Sequence, residues 1–225
     1  LKYSKIVREI YLRYSPEVES FGIDESWISL TGSPLLQSMT PVDVANQIRE
    51  TVKNETGLTV SIGVSFNKIF AKLGSDLKKP DAVTEIRSDT YQDVVWPLPV
   101  SDLLYVGRAT TQKLSRYGIH TIGDLARTDQ EFLVRLLGVN GSKLWAFANG
   151  LDTSRVMPCE YEAPIKSIGH GITCTEDLVS EHEVRQVFLE LSQEVGLKLR
   201  KHKLAASGVR IAVRDNTLSY RQYQY

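Results

Sequence analysis

The sequence contains few of the residues that mark secreted or zinc-binding proteins. It has two cysteines, Cys159 and Cys174, which form no CxxC pair, and its four histidines show no HxxxH or HxH spacing. These absences disfavour a disulfide framework or a zinc site and are typical of a protein from a reducing compartment. We therefore expect a cytoplasmic protein whose histidines are structural or solvent-exposed.

A long apolar run, a secretory signal and an initiator Met are also missing. No run approaches the ~20 apolar residues that cross a bilayer, so no membrane contact is expected. The chain starts at Leu1, which suggests that further residues precede it in the natural protein. The residues that are present, 42% apolar and 24% charged, have the composition of an ordinary soluble protein that can bury a core.

The net charge of zero argues by itself against a strong nucleic-acid binder. The charges are unevenly distributed, however. Residues 68–79 hold four Lys against one Asp, and residues 196–225 hold seven Lys or Arg against one Asp. Such stretches fit contact with a phosphate backbone, although ordinary solvated helix and strand faces produce the same pattern.

The first 87 residues alternate between helical and strand periodicity. Thr40 and Asn67 are predicted helix N-caps, Pro41 suits the first helical position, and Gly57 suits a helix end. The order β-β-α-β-α-β predicts an open sheet with helices against it. The predicted helices are residues 1–14, 40–56 and 67–79, and the predicted strands are 18–21, 26–30, 58–64 and 82–86.

After Pro97 the strand patterns stop, and short helices joined by Gly turns predict a separate helical domain. Residues 152–165 contain two prolines and no period, which indicates a linker. The predicted helices between them are residues 101–104, 110–117, 122–127, 131–137 and 142–148.

The last segment predicts a long helix, 181–201, among the strands 167–175, 207–215 and 219–225. On the middle strand, Val209, Ile211 and Val213 share one face, and Arg210 and Arg214 share the other. This alternation predicts a sheet with one buried face and one basic face.

Two adjacent carboxylates, Asp24 and Glu25, stand at a predicted bend between two strands. Two-metal phosphoryl transfer needs fixed carboxylates that hold hard cations through oxygen ligands. Adjacent side chains in a strand point to opposite faces, so the pair can share a site only at a kink or a strand end. A surface turn is the simpler explanation of the pair taken alone.

A second candidate lies where a buried strand runs into a lysine-rich helix. A helix N-terminus favours anions, and Lys68 and Lys72 lie one turn apart on one face. Lys79 follows the helix end, where its ammonium could meet a triphosphate. A basic amphipathic helix without a ligand explains the same residues.

A third candidate is the stretch from residue 103 to residue 114, with Gly107 at its turn. Two short helices joined by such a turn can direct backbone N–H groups at a DNA phosphate without reading sequence. A plain helical connection is the alternative.

The three motifs occur in an order and at a spacing that resemble the Y-family DNA polymerases, most closely the bacterial DNA polymerase IV (ImpB/MucB/SamB) type. Residues 14–16 with 23–25 match the family's palm signature, and residues 64–68 through 76–80 match its second palm motif. Residues 103–114 resemble its thumb hairpin, and residues 166–169 through 176–178 resemble the first strand of its little finger.

The resemblance implies a multi-domain α+β fold with an incomplete palm and an incomplete little finger. The palm would comprise residues 1–96 as a mixed sheet with helices. The thumb would be all-helical over 97–151 and contain the helix-hairpin-helix. A linker over 152–165 would lead to an α/β little finger over 166–225.

The activity that the resemblance implies is error-prone, template-directed DNA synthesis past damaged bases, as in an SOS response. The family uses two Mg²⁺ ions, primer-template DNA and deoxynucleoside triphosphates. Asp24 and Glu25 would be catalytic metal ligands, and Lys79 would contact the triphosphate. The intact protein is expected to be a monomer that binds a sliding clamp through a C-terminal segment.

DNA contacts are also implied by the resemblance. They would come from the lysine-rich helix, from the thumb hairpin and from the little finger. The residues are Lys68, Lys72, Gly107, Arg108, Thr110, Lys113, Ser167, Gly169, Arg210 and Arg214.

The chain departs from the family pattern in several places. Gly22 stands where the family often has Ser, Ser29 where it often has Asp, and Tyr105 where the hairpin often has a second Gly. The family's first metal-binding Asp, its fingers and its steric gate would lie before Leu1. We therefore expect these 225 residues alone to be a fragment that does not polymerise.

Two other functions compete with the polymerase. A non-catalytic DNA-binding repair module built around the helix-hairpin-helix would need no metal carboxylates. A nucleotide cyclase-like palm also uses paired carboxylates, but it explains neither the hairpin nor the basic face of the last segment.

Overall fold

A computed structural model describes all residues, 1–225, and divides the chain into two compact units, Leu1–Tyr161 and Glu162–Tyr225. The first unit begins with an α/β part whose elements alternate as the apolar pattern predicts. These elements are α1 (Lys2–Leu12), β1 (Val18–Phe21), β2 (Glu25–Ile28), α2 (Pro41–Thr56), β3 (Ile62–Ser65), α3 (Lys68–Leu77) and β4 (Val83–Ile86).

The predicted helix caps are confirmed by hydrogen bonds. Thr40 and Asp43 form a reciprocal capping box at the start of α2, and Gly57 ends the helix with a φ of 72°. The Asn67 side chain accepts the backbone N–H of Phe70 at 2.8 Å at the start of α3. These local signals therefore set the ends of both helices.

The expected single open sheet is wrong. β1 and β2 form an antiparallel pair, β3 and β4 form a parallel pair, and no ladder joins the two pairs. β2 and β3 instead line one cleft. The hydrogen bond from Ser29 N to Glu17 O sets a register in which the main-chain groups of Ser26 and Ile28 point away from β1, toward the outer edge of β2.

The helices α1 and α2 cover one side of this part with an apolar core. Ile10 and Val18 are fully buried there, and so are Val44 and Val52. Burying each such side chain contributes roughly 1.5–3 kcal/mol. The hairpin of β1 and β2 is anchored to this core through Val18.

The helical part of the first unit shares one core with α3 and β4. Phe70 and Ile86 belong to the same buried cluster as Leu114, Leu125 and Leu133. The helices are α4 (Tyr91–Val95), which the sequence prediction missed, α5 (Arg108–Ser115), α6 (Ile122–Arg127), α7 (Gln130–Leu137) and α8 (Val139–Ala148). The predicted helix at 101–104 is a 3-10 turn over Val100–Asp102.

The domain boundaries predicted from the sequence stay predictions. The shared core crosses the predicted boundary between residues 96 and 97. The predicted linker, 152–165, has no regular secondary structure, and the division between the two units falls inside it.

The second unit contains α9 (Glu181–Lys201) and the antiparallel pair β5 (Arg210–Arg214) and β6 (Tyr220–Gln224). The predicted strand at 167–175 is wrong, because this segment has no ladder partner. The predicted buried face is also wrong, since Val209 and Val213 are exposed and no residue of α9 is buried. The strand itself is confirmed over Arg210–Arg214, and Ile211 is half-buried on its apolar side.

No helix in either unit has the length and apolar character needed to cross a bilayer.

Glycines bring α3 unusually close to β3. A Cβ added at Gly63 would lie 1.9 Å from the carbonyl oxygen of Ala71 and 2.6 Å from the backbone nitrogen of Ser75. Gly74 faces Gly63 from the helix side, where an added Cβ would lie 3.2 Å from the Gly63 Cα. The contact is therefore backbone against backbone, and no side-chain rotation can relieve an inserted methyl group.

Gly63→Ala is expected to destabilise the first unit by about 1–3 kcal/mol, because overpacking must push α3 off the strand. Urea unfolding followed by circular dichroism measures this change. Gly171→Ala, where an added Cβ meets open space, is the matched control and should leave the transition unchanged. An unaltered midpoint for Gly63→Ala would show that the close approach is absent.

An ion-pair network fixes the loop after α3. Asp81, whose φ is 55°, accepts hydrogen bonds from Arg49 at 2.6 Å and from Lys53 at 2.7 Å, both on α2. The hydrogen bonds from Lys53 and Arg49 lower the pKa of Asp81 below its usual value. The network ties this loop to α2.

Asp81→Asn should lower the melting temperature at pH 7 while keeping the backbone, because Asn also tolerates a positive φ. A lowered folded-state pKa stabilises the fold above the ordinary Asp value of about 3.9 and loses this effect as the pH falls further. Thermal unfolding from pH 7 to pH 3 should therefore show the two proteins converging at the acidic end. A constant difference across that range would contradict the ion-pair explanation.

Candidate functional site

The two adjacent carboxylates lie at the tip of the β1–β2 hairpin. Phe21 and Glu25 form the last strand pair, so Gly22, Ile23 and Asp24 make the turn. Gly22 has a φ of 75°, which the turn needs and which glycine adopts without strain. Asp24 therefore ends the turn and Glu25 begins β2, which is the strand-end geometry that the pair requires.

Both carboxylates line a cleft of about 610 Å³ in the first unit. Asp24 is exposed, and the side chain of Glu25 is 39% exposed. Lys72 and Lys79 line the same cleft. Tyr11 also lines it, and burial raises the pKa of its hydroxyl to about 12, so the group stays neutral.

The hairpin is held in place by the first turn of α3. The Trp27 indole N–H donates to the carbonyl oxygen of Lys68 at 2.9 Å, and the Lys68 ammonium lies 4.4 Å from the centre of the Trp27 ring. The same ammonium donates to both carboxylate oxygens of Glu19 at 2.7 Å. These contacts fix β1 and β2, and with them the carboxylates at the tip.

The next lysine of α3 joins the hairpin to the helix end. Lys72 lies 3.2 Å from an oxygen of Glu25 and also pairs with Asp76, which in turn pairs with Lys79 at 2.7 Å. Burial alone would lower the pKa of Lys72 and raise that of Asp76, but the ion pairs outweigh burial for both groups. The Lys72 pKa is therefore raised and the Asp76 pKa lowered.

The predicted DNA contacts of Lys68 and Lys72 stay predictions, and both ammonium groups already have carboxylate partners. Their side chains are 12% and 16% exposed, against 57% for Lys79. Sequence reasoning missed these partners. The spacing of Asp76 from the two lysines it contacts was visible in the sequence, whereas nothing in the sequence pointed to Glu19 or Trp27.

The predicted thumb hairpin forms a tight turn into α5. Gly107 precedes the helix without a side-chain cap, so the N–H groups at the helix start have no capping side chain. Arg108 and Lys113 are exposed beside them, and Thr110 is half-buried. Buried Leu114 anchors the helix.

A second turn of this kind joins α7 to α8, and the sequence predictions did not include it among the binding sites. Gly138 has a φ of 67° and also lacks a side-chain cap on α8. A Cβ added at Gly141 would lie 2.0 Å from the carbonyl oxygen of Leu133, which shows how closely the two helices approach. The glycine spacing around Val139 is the signal that could have revealed this turn.

The predicted contacts of the second unit are all on its surface. Ser167 and Gly169 are exposed. Arg210 and Arg214 share one face of β5, where Arg210 donates to Gln224 at 3.2 Å and Arg214 lies 5.7 Å from the Tyr220 ring. Arg210 and Arg214 therefore place two positive charges on one exposed face of β5.

The carboxylate oxygens at the hairpin tip are suitable ligands for a hard cation. Mg²⁺ takes oxygen ligands and is commonly held by one or two carboxylates together with waters and substrate phosphates, which matches Asp24 and Glu25. The chain contains no group of three or more acidic, Cys or His side chains that could hold a metal by itself. Asp24 and Glu25 could therefore supply two of the ligands of such a cation, and its other ligands would come from outside the pair.

Comparison with known proteins identifies the family. The model of the impB/mucB/samB family matches residues 1–76, and that of the impB/mucB/samB family C-terminal domain matches residues 165–225. DNA polymerase IV of Acetivibrio thermocellus is 50% identical over 217 residues, which are 96% of this chain and 54% of that protein. DNA polymerase IV 1 of Bacillus subtilis is 37% identical over 211 residues, or 94% of this chain and 50% of that protein.

A solved structure shows the same fold. A Y-family DNA polymerase chimera covers 100% of this chain with a TM-score of 0.82 at 18% identity, and the match covers 63% of the chimera. The α+β fold expected from the sequence is confirmed by this match. The chain spans about half the length of the curated relatives it matches. The chain therefore belongs to the impB/mucB/samB family and has the fold of the Y-family DNA polymerases.

Proposed function

We propose that the intact protein is a DNA-directed DNA polymerase that copies damaged templates. The observation that carries this proposal is the placement of Asp24, Glu25 and Lys79 on one cleft, beside a hairpin fixed to α3. Two carboxylates and a mobile ammonium on one surface suit a metal-bound nucleoside triphosphate. The names of the polymerase IV relatives support the same activity.

Asp24 and Glu25 are the metal ligands in this proposal. Bound Mg²⁺ would lower the energy of the charge that develops when a primer 3′ hydroxyl displaces pyrophosphate from the α-phosphate. The protein's part is to fix the carboxylates before the substrates arrive. Lys68, Glu19 and Trp27 do so by holding the hairpin, which reduces the reorganisation needed during the reaction.

Lys79 is the triphosphate ligand in this proposal. Its side chain is 57% exposed and its partner Asp76 is 44% exposed, so the ion pair between them is weak. The ammonium can therefore exchange Asp76 for a phosphate oxygen at little cost. A point charge on a flexible stem is well suited to such a transfer.

Primer-template DNA would contact two surfaces. The turn at Gly107 and the side chains of Arg108, Thr110 and Lys113 offer backbone N–H groups and positive charge to phosphates. The second unit offers exposed residues. The residues of that unit are Ser167, Gly169, Arg210 and Arg214.

The remaining features of the polymerase are part of the same proposal. They comprise the second Mg²⁺ ion, a cytoplasmic monomer, a sliding-clamp partner, and the division into palm, thumb, linker and little finger. The inactivity of the 225 residues alone also belongs here, because the chain supplies only Asp24 and Glu25 at the hairpin tip.

Asp24→Asn or Glu25→Gln should slow primer extension by the intact protein at least about a hundredfold, since each removes a charged metal ligand. Single-nucleotide insertion opposite a template base measures the rate, and fluorescence anisotropy measures DNA affinity, which should change little. Glu131→Gln, an exposed acid on α7, is the matched control. Full extension by either hairpin variant would contradict the assignment.

The competing function is a DNA-binding repair module without catalysis. The uncapped turns before α5 and α8 favour it, because they need no metal to bind a phosphate backbone. In that case the hairpin variants would leave the cellular role of the protein intact. Survival of DNA-damaged cells that carry Asp24→Asn separates the two functions.

Arg108→Gln combined with Lys113→Gln should weaken binding to all DNA sequences alike. Each lost phosphate contact reduces the slope of log affinity against log salt by about 0.9, so the double variant should lose about 1.8. Titrations at several salt concentrations measure the slope. Arg135→Gln, which changes an exposed arginine on α7, should leave the slope unchanged. An equal effect of both variants would contradict a specific DNA contact at the start of α5.

A further inference from the structure

Asp76 connects the two lysines of the cleft. It lies near the end of α3, where one carboxylate oxygen pairs with Lys72 and the other lies 2.7 Å from Lys79. Lys72 reaches on to Glu25 at 3.2 Å. A row of alternating charges therefore runs from Glu25 on the hairpin to Lys79, the proposed ligand of the triphosphate.

The ion pairs at the two ends of this row of charges differ in strength. The Lys72 side chain is 16% exposed and has two carboxylate partners, so its position is fixed. The Lys79 side chain is 57% exposed and pairs with Asp76 alone. Exposed pairs contribute little, whereas pairs that are shielded from water interact more strongly. Lys79 is the member that can leave.

We propose that Asp76 is a positioning residue that partly neutralises both Lys72 and Lys79. It thereby adjusts how strongly the cleft binds its two ligands, the triphosphate and the cation. It pairs with Lys79 until a triphosphate competes for the ammonium. It also pairs with Lys72, which weakens the interaction of Lys72 with Glu25 and leaves Glu25 available to a cation. This inference rests on the proposed function of Asp24, Glu25 and Lys79.

The proposal predicts opposite effects on the two ligands of the site. Without the Asp76 charge, Lys79 is free for the triphosphate, which should bind more tightly. Lys72 then has Glu25 as its remaining carboxylate partner, and its undivided charge competes with the cation, which should bind more weakly. A residue that only stabilised the fold would weaken both ligands together.

Asp76→Asn keeps the size of the side chain and removes its charge. In the intact protein without DNA, we expect it to tighten inorganic tripolyphosphate, measured calorimetrically in EDTA, by about fivefold, the effect of one nearby charge in water. It should weaken Mn²⁺, measured by electron paramagnetic resonance, by a similar factor. Asp76→Glu should restore both affinities toward those of the wild type.

Further variants make the test specific. Asp89→Asn removes an exposed ion-paired charge outside the cleft and should change neither affinity. In Asp76→Asn combined with Lys79→Gln, the gain in tripolyphosphate affinity should disappear, because the gain acts through Lys79. A gain that persists in the double variant overturns the proposal.

The outcomes separate this inference from the function on which it rests. If wild-type affinities depend on Asp24 and Lys79 but Asp76→Asn changes neither or weakens both, Asp76 has no balancing role and the proposed function stands. If wild-type affinities do not depend on Asp24 and Lys79, both proposals fail. Melting temperatures of all variants check that the fold is retained.

Discussion

The site depends on one contact, the docking of the β1–β2 hairpin on the first turn of α3. Lys68 makes this contact through its backbone carbonyl, which accepts from Trp27, and through its ammonium, which pairs with Glu19 and lies over the Trp27 ring. A two-stranded hairpin is only marginally stable alone, so its position must come from what it packs against. The carboxylates at its tip are fixed only because its base is fixed to the helix.

This docking changes the meaning of the basic stretch on α3. Four lysines within twelve residues resemble a nucleic-acid surface in the sequence, yet two of them neutralise acids of the hairpin. Buried charges need partners, and the hairpin supplies them. The other two lysines, Lys78 and Lys79, are exposed, and Lys79 lines the cleft at the helix end. An accessible ammonium thus lies beside the cleft, where the proposed function needs it.

The sequence predicted the elements of the fold well because their ends are set by local chemistry. Thr40, Gly57 and Asn67 fix helix ends through their own side chains or their own backbone freedom. The open sheet, the strand at 167–175 and the buried face of β5 were predicted wrongly for one shared reason. A strand needs a hydrogen-bonded partner strand, and its face is buried only when another element packs on it. Neither condition is encoded in the strand itself.

The sequence by itself determined the helix and strand order of the first 87 residues, the position of Asp24 and Glu25 at a bend, and the family resemblance. These depend on residues that are neighbours along the chain, whose interactions follow from spacing alone. Only the tertiary structure decided that the carboxylates share a cleft with Lys79, and that Lys68 and Lys72 face the hairpin. Those contacts join residues tens of positions apart, and they form only when α3 packs against β2 and β3.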